Sequence, residues 1–292
     1  MPSPAQREAA DVEWQKRHAK IEYGVVAVGR HKLDELAVGT TWRMGRNEAS
    51  VLTTEMALLA GEQIIVPGSY RVNVARQTEP DFALSIDGGS VGEAPQGAPV
   101  AVPAKAEVLK PDKPTKGLEV TFKTDGKADG TVQPAKVTVT FGENRITAAL
   151  GLVATKPQKA QGWTLEVFQL PAELVEKRLA GGKATPVLSL KKETGKRQAP
   201  FHVWNLSVGK EAAELWPAPA APTDSFGFGT VKQLDAASMT KATSVTWEDA
   251  KDAKPALELS KVDVAKGKGL SIVLLVGKQT CTIAIPEPKL PD

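Results

Sequence analysis

Val137-Thr138-Val139-Thr140-Phe141-Gly142-Glu143-Asn144-Arg145-Ile146-Thr147-Ala148-Ala149-Leu150 points to the fold class most directly. Val137, Val139 and Phe141 alternate with Thr138 and Thr140. Ile146, Ala148 and Leu150 alternate with Thr147 and Ala149. A period of two puts one set on each face of a strand. Gly142 to Asn144 supply a tight turn, so the spacing predicts an antiparallel hairpin. One of its faces meets a core and the other meets solvent.

The same period recurs outward from this hairpin. Upstream, Ile21, Tyr23 and Val25 alternate, as do Tyr70, Val72 and Val74, and Phe82, Leu84 and Ile86. Residues 51–55 read as a further strand, and Pro67-Gly68 as a turn. Residues 118–122 precede the hairpin as another strand. Downstream, Trp163, Leu165 and Val167 alternate, and strands are expected at 187–190, 201–206, 257–259, 270–276 and 281–285. Short helices are expected at 172–179, closed by Gly181-Gly182, and at 211–215. Ser3, Pro4 and Gln6 form a helix-start signature, so residues 1–18 are expected to be an N-terminal helix. Residues 92–116 carry Pro95, Pro99, Pro103, Pro111 and Pro114. They read as an extended surface connection, neither helix nor central strand. Pro217, Pro219 and Pro222 mark a second such connection.

The expected fold is all-β, with two antiparallel β-sandwich-like domains and a few short helices. The first β domain spans 19–155 and the second 156–292. The halves end alike, each with a hairpin, turned at Gly142 and at Gly277. Either a degenerate duplication or the ordinary likeness of β-rich halves accounts for this.

Composition narrows the functional classes. The chain has 292 residues, 37 basic and 34 acidic, for a formal charge of +3. A chain of this length buries roughly three quarters of its unfolded surface, so it needs no staples. Cys281 is the single cysteine, which excludes an intrachain disulfide and any cysteine-based zinc or iron–sulfur centre. No run of about 18 apolar residues is present, so no membrane-spanning helix is expected. A weak, dispersed positive charge argues against a nucleic-acid partner. His18, His31 and His202 lack metal-ligand spacing, and neither metal nor cofactor is expected. Gly88-Gly89-Ser90-Val91-Gly92 matches a nucleophile elbow in letters only, because Pro95 stands where a helix must begin.

The densest polar and aromatic string is Trp42-Arg43-Met44-Gly45-Arg46-Asn47-Glu48-Ala49-Ser50, with Arg30-His31 upstream. Arginines, an amide and a carboxylate in one place suit charge-assisted hydrogen bonds to an anion or a sugar. The candidate network is Arg30, His31, Trp42, Arg43, Asn47 and Glu48. The same residues suit a structural role, with Arg43 pairing Glu48 beneath Trp42.

Residues 21–150 resemble the bacterial family called domain of unknown function 2911. The resemblance rests on Tyr23, the Gly29-Arg30 step, Leu33 and Leu36, and the string Trp42-Arg43-x-Gly45-x-Asn47-Glu48-Ala49. It continues through the turn Pro67-Gly68-Ser69-Tyr70 and the strand from Phe82 to Asp87. The family is uncharacterised, so the resemblance implies no activity. It does imply an exported bacterial protein, periplasmic or secreted, whose signal peptide is absent from this chain. The start Met1-Pro2-Ser3-Pro4 lacks an apolar segment and equally fits a cytoplasmic protein.

Three functions are compatible with these residues. The first is a non-catalytic binding or interaction protein for a small molecule, glycan or protein. The second is a hydrolase or lyase acting on an anionic substrate, with Glu48 as base. The third is a structural component of an envelope assembly.

Overall fold

The structure, a computed structural model, describes residues 6–29, 32–45, 49–79, 81–88, 99–109, 114–160, 162–193, 201–219, 239–250, 256–265 and 269–288. Antiparallel strands dominate it. The first twelve are β1 (Arg7–Trp14), β2 (Arg17–Gly24), β3 (Thr41–Trp42), β4 (Ser50–Thr54), β5 (Leu58–Ala60), β6 (Gln63–Ile65), β7 (Gly68–Arg76), β8 (Phe82–Asp87), β9 (Val100–Val108), β10 (Leu118–Thr124), β11 (Val132–Phe141) and β12 (Asn144–Val153). They form one 12-stranded sheet with the order β1-β2-β4-β7-β8-β9-β12-β11-β10 and β3, β5 and β6 off that path. The two ends of the path approach each other. The Leu118 N–H donates to Val26 O at 2.8 Å and the Val28 N–H to Lys116 O at 3.0 Å, around an Ala27–Gly117 bridge. The sheet is therefore nearly closed and barrel-like.

Alternation fills its interior. Ile21, Leu52, Tyr70, Val72, Val74, Leu84, Ile86, Val139 and Ile146 are all buried in one cluster. Tyr70 lies wholly inside, and its hydroxyl donates to Val66 O at 2.5 Å. Burial pushes its phenol well above the ordinary tyrosine range. The hairpin read from 137–150 is β11–β12, pairing Phe141 with Asn144 across a loop whose Gly142 has φ 63.

The rest of the chain forms two smaller sheets. One is six-stranded: β13 (Thr155–Ala160), β14 (Trp163–Phe168), β15 (Thr185–Glu193), β16 (Phe201–Val208), β17 (Ala213–Pro217) and β18 (Thr240–Lys241). The other is four-stranded: β19 (Ser244–Asp249), β20 (Ala256–Ala265), β21 (Gly269–Gly277) and β22 (Gln279–Ile285). Both feed one core, in which Leu165, Leu188 and Leu206 join Ile272, Leu274 and Ile283. The helix α1 (Ala172–Ala180) ends at Gly181, and Gly182 has φ 72. This agrees with the helix read at 172–179.

Cys281 is buried in this second core, and desolvation raises its thiol pKa to about 12. At pH 8 only about one thiol in 10⁴ is then ionised. Iodoacetamide is expected to spare the native protein and to label it fully in denaturant. Rapid labelling without denaturant would contradict this burial.

Three expectations are corrected. Residues 7–14 of the expected N-terminal helix are strand β1, and residues 1–5 lie outside the described residues. Ala10 and Val12 are buried while Asp11 and Glu13 are exposed, which is a period of two. The chain reverses at Gln15 (φ 52) and Lys16 (φ 61), and two successive positive angles match the twist of a hairpin. Sheet pairing thus overrides the local helix-start signal. Within 92–116, residues 100–108 are β9, which lies between β8 and β12. Its pairing with β8 covers Val100 to Ala104, and that with β12 covers Ala104 to Val108. Pro103 therefore stands where only one neighbour is alongside, and its missing N–H is tolerated there. The helix expected at 211–215 is replaced by β17, which buries Ala213, Leu215 and Trp216. Of the second proline-rich connection, residues 220–238 lie outside the described residues.

The barrel has two different ends. At one, Ala57, Ile64 and Val66 enter the core of the second half. Arg17, Glu62 and Pro67 bond across the same boundary, to Glu166, Arg178 and Asn205. The opposite end carries the β11–β12 turn, the start of β4 and the end of β7. The Trp42 string lies there.

Candidate functional site at the free end of the barrel

β3 is only two residues long, and Trp42 pairs with Val74 of β7. Ser50 opens β4 and pairs with Val72. Residues 43–45 thus leave the sheet beside Val74, and Ala49 leads back to it beside Val72. Both ends are tightly held. Met44 is fully buried with φ 44, and its carbonyl accepts from Ser50 Oγ at 2.5 Å. Gly45 has φ 107 and lies against Gly24 at the end of β2. Arg7 Nη2 donates to Ala49 O at 3.3 Å and to Glu22 O at 3.2 Å, which ties the returning chain to β2.

Trp42 faces the other way, toward a cavity of about 290 Å³ lined by Lys32, Leu33, Glu35, Leu36, Trp42 and Phe141. The Trp42 and Phe141 rings have centroids 5.1 Å apart and are tilted by 42°. The opposite wall is a 3-10 turn (Leu33–Glu35) whose Leu33 is buried in the barrel core. The Lys32 N–H donates to Glu35 Oε2 at 3.3 Å, which closes this turn. Arg76 braces it from below: Nη1 donates to Leu36 O at 2.8 Å and also to Asp34 O. The same guanidinium lies 5.6 Å from the Phe82 ring centre and pairs with Glu79 at 2.8 Å. These contacts hold the turn, and with it the wall, in one position.

No family model, curated protein or solved structure matches the chain. The chemistry of the site therefore rests on its own residues.

Of the candidate network, Trp42 lines the cavity, while Arg43 is half-buried and is not part of the lining. Arg30, His31, Asn47 and Glu48 lie outside the described residues. Sequence reasoning singled out Trp42 but missed Lys32, Glu35, Phe141 and Arg76. The Lys32–Glu35 spacing, with an acid three residues on, resembles a capping pattern and is the signal that was available. Phe141 was legible only as a strand end.

A separate polar cluster lies on the outer face of β7 and β8. Asn73 Nδ2 donates to Asp87 Oδ2 at 2.9 Å and Ser85 Oγ to Asp87 Oδ1 at 3.1 Å. Both carboxylate oxygens are thereby engaged, so the cluster is closed on itself. Among the described residues no three His, Cys, Asp or Glu side chains converge as a metal site. No helix among them is long and apolar enough to cross a membrane.

Proposed function

We propose that this protein is a non-catalytic binding protein whose ligand enters the cavity at the free end of the barrel. The observation that carries the reading is the pair Trp42 and Phe141, walling a cavity at the barrel end opposite the contacts with the second half among the described residues. Barrel mouths are a recurrent place for small-ligand sites, and such sites are mainly apolar with a few oriented polar groups. Four apolar side chains and the pair Lys32 and Glu35 match that composition. The resemblance to an exported family extends the proposal to the periplasm or the cell exterior. The second half, two sheets over one core, is read as a sandwich-like domain, and the barrel-like first half as its degenerate duplicate. What supports this is that each ends in a hairpin whose loop opens on a glycine, Gly142 at φ 63 and Gly277 at φ 62.

Anilinonaphthalene sulfonate, an apolar ring system with one anionic group, is a suitable probe. Its fluorescence is expected to rise in a saturable, single-site titration of the native protein. Trp42→Ala and Leu36→Glu should each weaken that binding by about tenfold or more, because each removes apolar contact. Titration curves that coincide for the native protein and both variants would defeat the proposal.

A further inference from the structure

We infer that the ligand of this cavity is a neutral polyhydroxylated ring, a pyranose presented singly or at the end of a glycan. The inference rests on the reading of the cavity as a binding site and adds the class of ligand.

Depth is the first constraint. The barrel interior beneath the cavity is filled: Met44 and Tyr70 are 0% exposed, and Leu52 and Ile146 1%. Among the described residues these side chains leave no channel for an extended acyl chain. A cavity of about 290 Å³ is at the small end for ligand sites and suits one compact ring.

The aromatic walls are the second. Trp42 and Phe141 pack against each other, centroids 5.1 Å apart and tilted by 42°, and both line the cavity. The face of an aromatic ring is electron-rich, and it attracts polarised C–H groups. A pyranose offers such C–H groups on one face and hydroxyls around its edge.

Charge is the third constraint and separates the alternatives. Lys32 and Glu35 are both exposed at the rim, on the two ends of one braced turn. Lysine only donates hydrogen bonds, and an ionised carboxylate only accepts them. For a ligand of either sign, the attraction of one of these groups is offset by the repulsion of the other, so the pair gives no net preference for charge. A neutral polyol satisfies both, because each hydroxyl donates and accepts. Glu35 Oε2 is engaged by the Lys32 N–H, which leaves Oε1 for the ligand. Arg76 fixes the turn through the carbonyls of Asp34 and Leu36, so little ordering is needed when the ring binds.

The test uses the full chain and calorimetric titration with glucose, galactose, N-acetylglucosamine and their β-linked disaccharides. At least one of these is expected to bind and to displace anilinonaphthalene sulfonate. Trp42→Ala should weaken sugar binding by about tenfold or more. Lys32→Met and Glu35→Gln alter exposed side chains and leave the fold intact. Each should weaken the sugar by roughly three- to tenfold, since each removes one charge-assisted hydrogen bond. The anionic probe differs at one position: Lys32→Met weakens it as well, and Glu35→Gln does not. If the probe binds at Trp42 but no sugar displaces it at about 10 mM, the ligand class is overturned while the binding site stands. Sugar affinity untouched by all three substitutions also overturns it. If neither probe nor sugar binds, the binding-site reading itself fails.

Discussion

Glu166→Ala is expected to destabilise the protein by about 3–5 kcal/mol, the largest loss from any single ion-pair residue described here. Glu166 lies in β14 and is only 5% exposed. Its two oxygens meet two cations. Arg17 approaches with Nη2 at 2.8 Å from Oε1 and Nη1 at 3.2 Å from Oε2, and Lys191 Nζ lies 2.8 Å from Oε2. Arg17 opens β2 in the barrel, so the bidentate pair joins the two halves of the chain. Removing the carboxylate leaves Arg17 and Lys191, whose side chains are 18% and 21% exposed, facing each other with little solvent. That uncompensated charge, more than the lost attraction, sets the cost. Glu79→Ala is the control. Its bridge to Arg76 has a carboxylate 75% exposed, so the loss should stay within about 1 kcal/mol. Urea unfolding measures both. A cycle with Arg17→Ala should return a coupling of about 1–3 kcal/mol. A Glu166→Ala loss equal to that of Glu79→Ala would mean that the pair behaves as a surface bridge.

Neither Glu166 nor Arg17 stands out in the sequence, because their bond joins residues 149 apart. The same limit runs through the whole reading. Strand identity was legible wherever the alternation is local, as in β7, β8, β11 and β12. The α1 helix was legible through its paired glycines. What local pattern does not carry is register. β9 was hidden because prolines depress strand propensity, and only the one-sided pairing at Pro103 shows why they fit. β1 was hidden because Ser3 and Pro4 signal a helix start, whereas the partner that makes residues 7–14 a strand is β2 beyond the turn. At the site, the Trp42 string drew notice as a dense polar cluster. Its cavity needs Phe141, brought near by the order of strands around the barrel, and Arg76, whose acceptors in the cavity wall are backbone carbonyls. Carbonyls carry no side-chain signature, so no spacing rule ties Arg76 to the turn at Leu33–Glu35.

Gly45→Ala is expected to cost about 3–5 kcal/mol and to do so through the backbone alone. At φ 107 an L residue is strained whatever surrounds it. The added Cβ would also lie 2.8 Å from Gly24 O and 2.9 Å from Gly24 N. These are atoms of the last residue of β2 and cannot swing aside as a side chain would. Relief by sliding the loop is opposed on both sides. Met44 before it is buried with φ 44, and Ser50 holds the Met44 carbonyl at 2.5 Å. Gly39→Ala separates the two contributions. Gly39 has φ 80 with nothing within 4 Å of its added Cβ, so only conformational strain of about 1–2 kcal/mol applies. Equal losses for the two variants in urea unfolding would mean that the contact with Gly24 yields. A larger loss at Gly45 divides the string into two roles. Met44, Gly45 and Ser50 then serve the fold by seating the chain against β2. Trp42, on the other side of the same turn, serves the cavity. Trp42→Ala should accordingly lose the ligand while the barrel persists, and Gly45→Ala should lose the barrel end and the ligand with it.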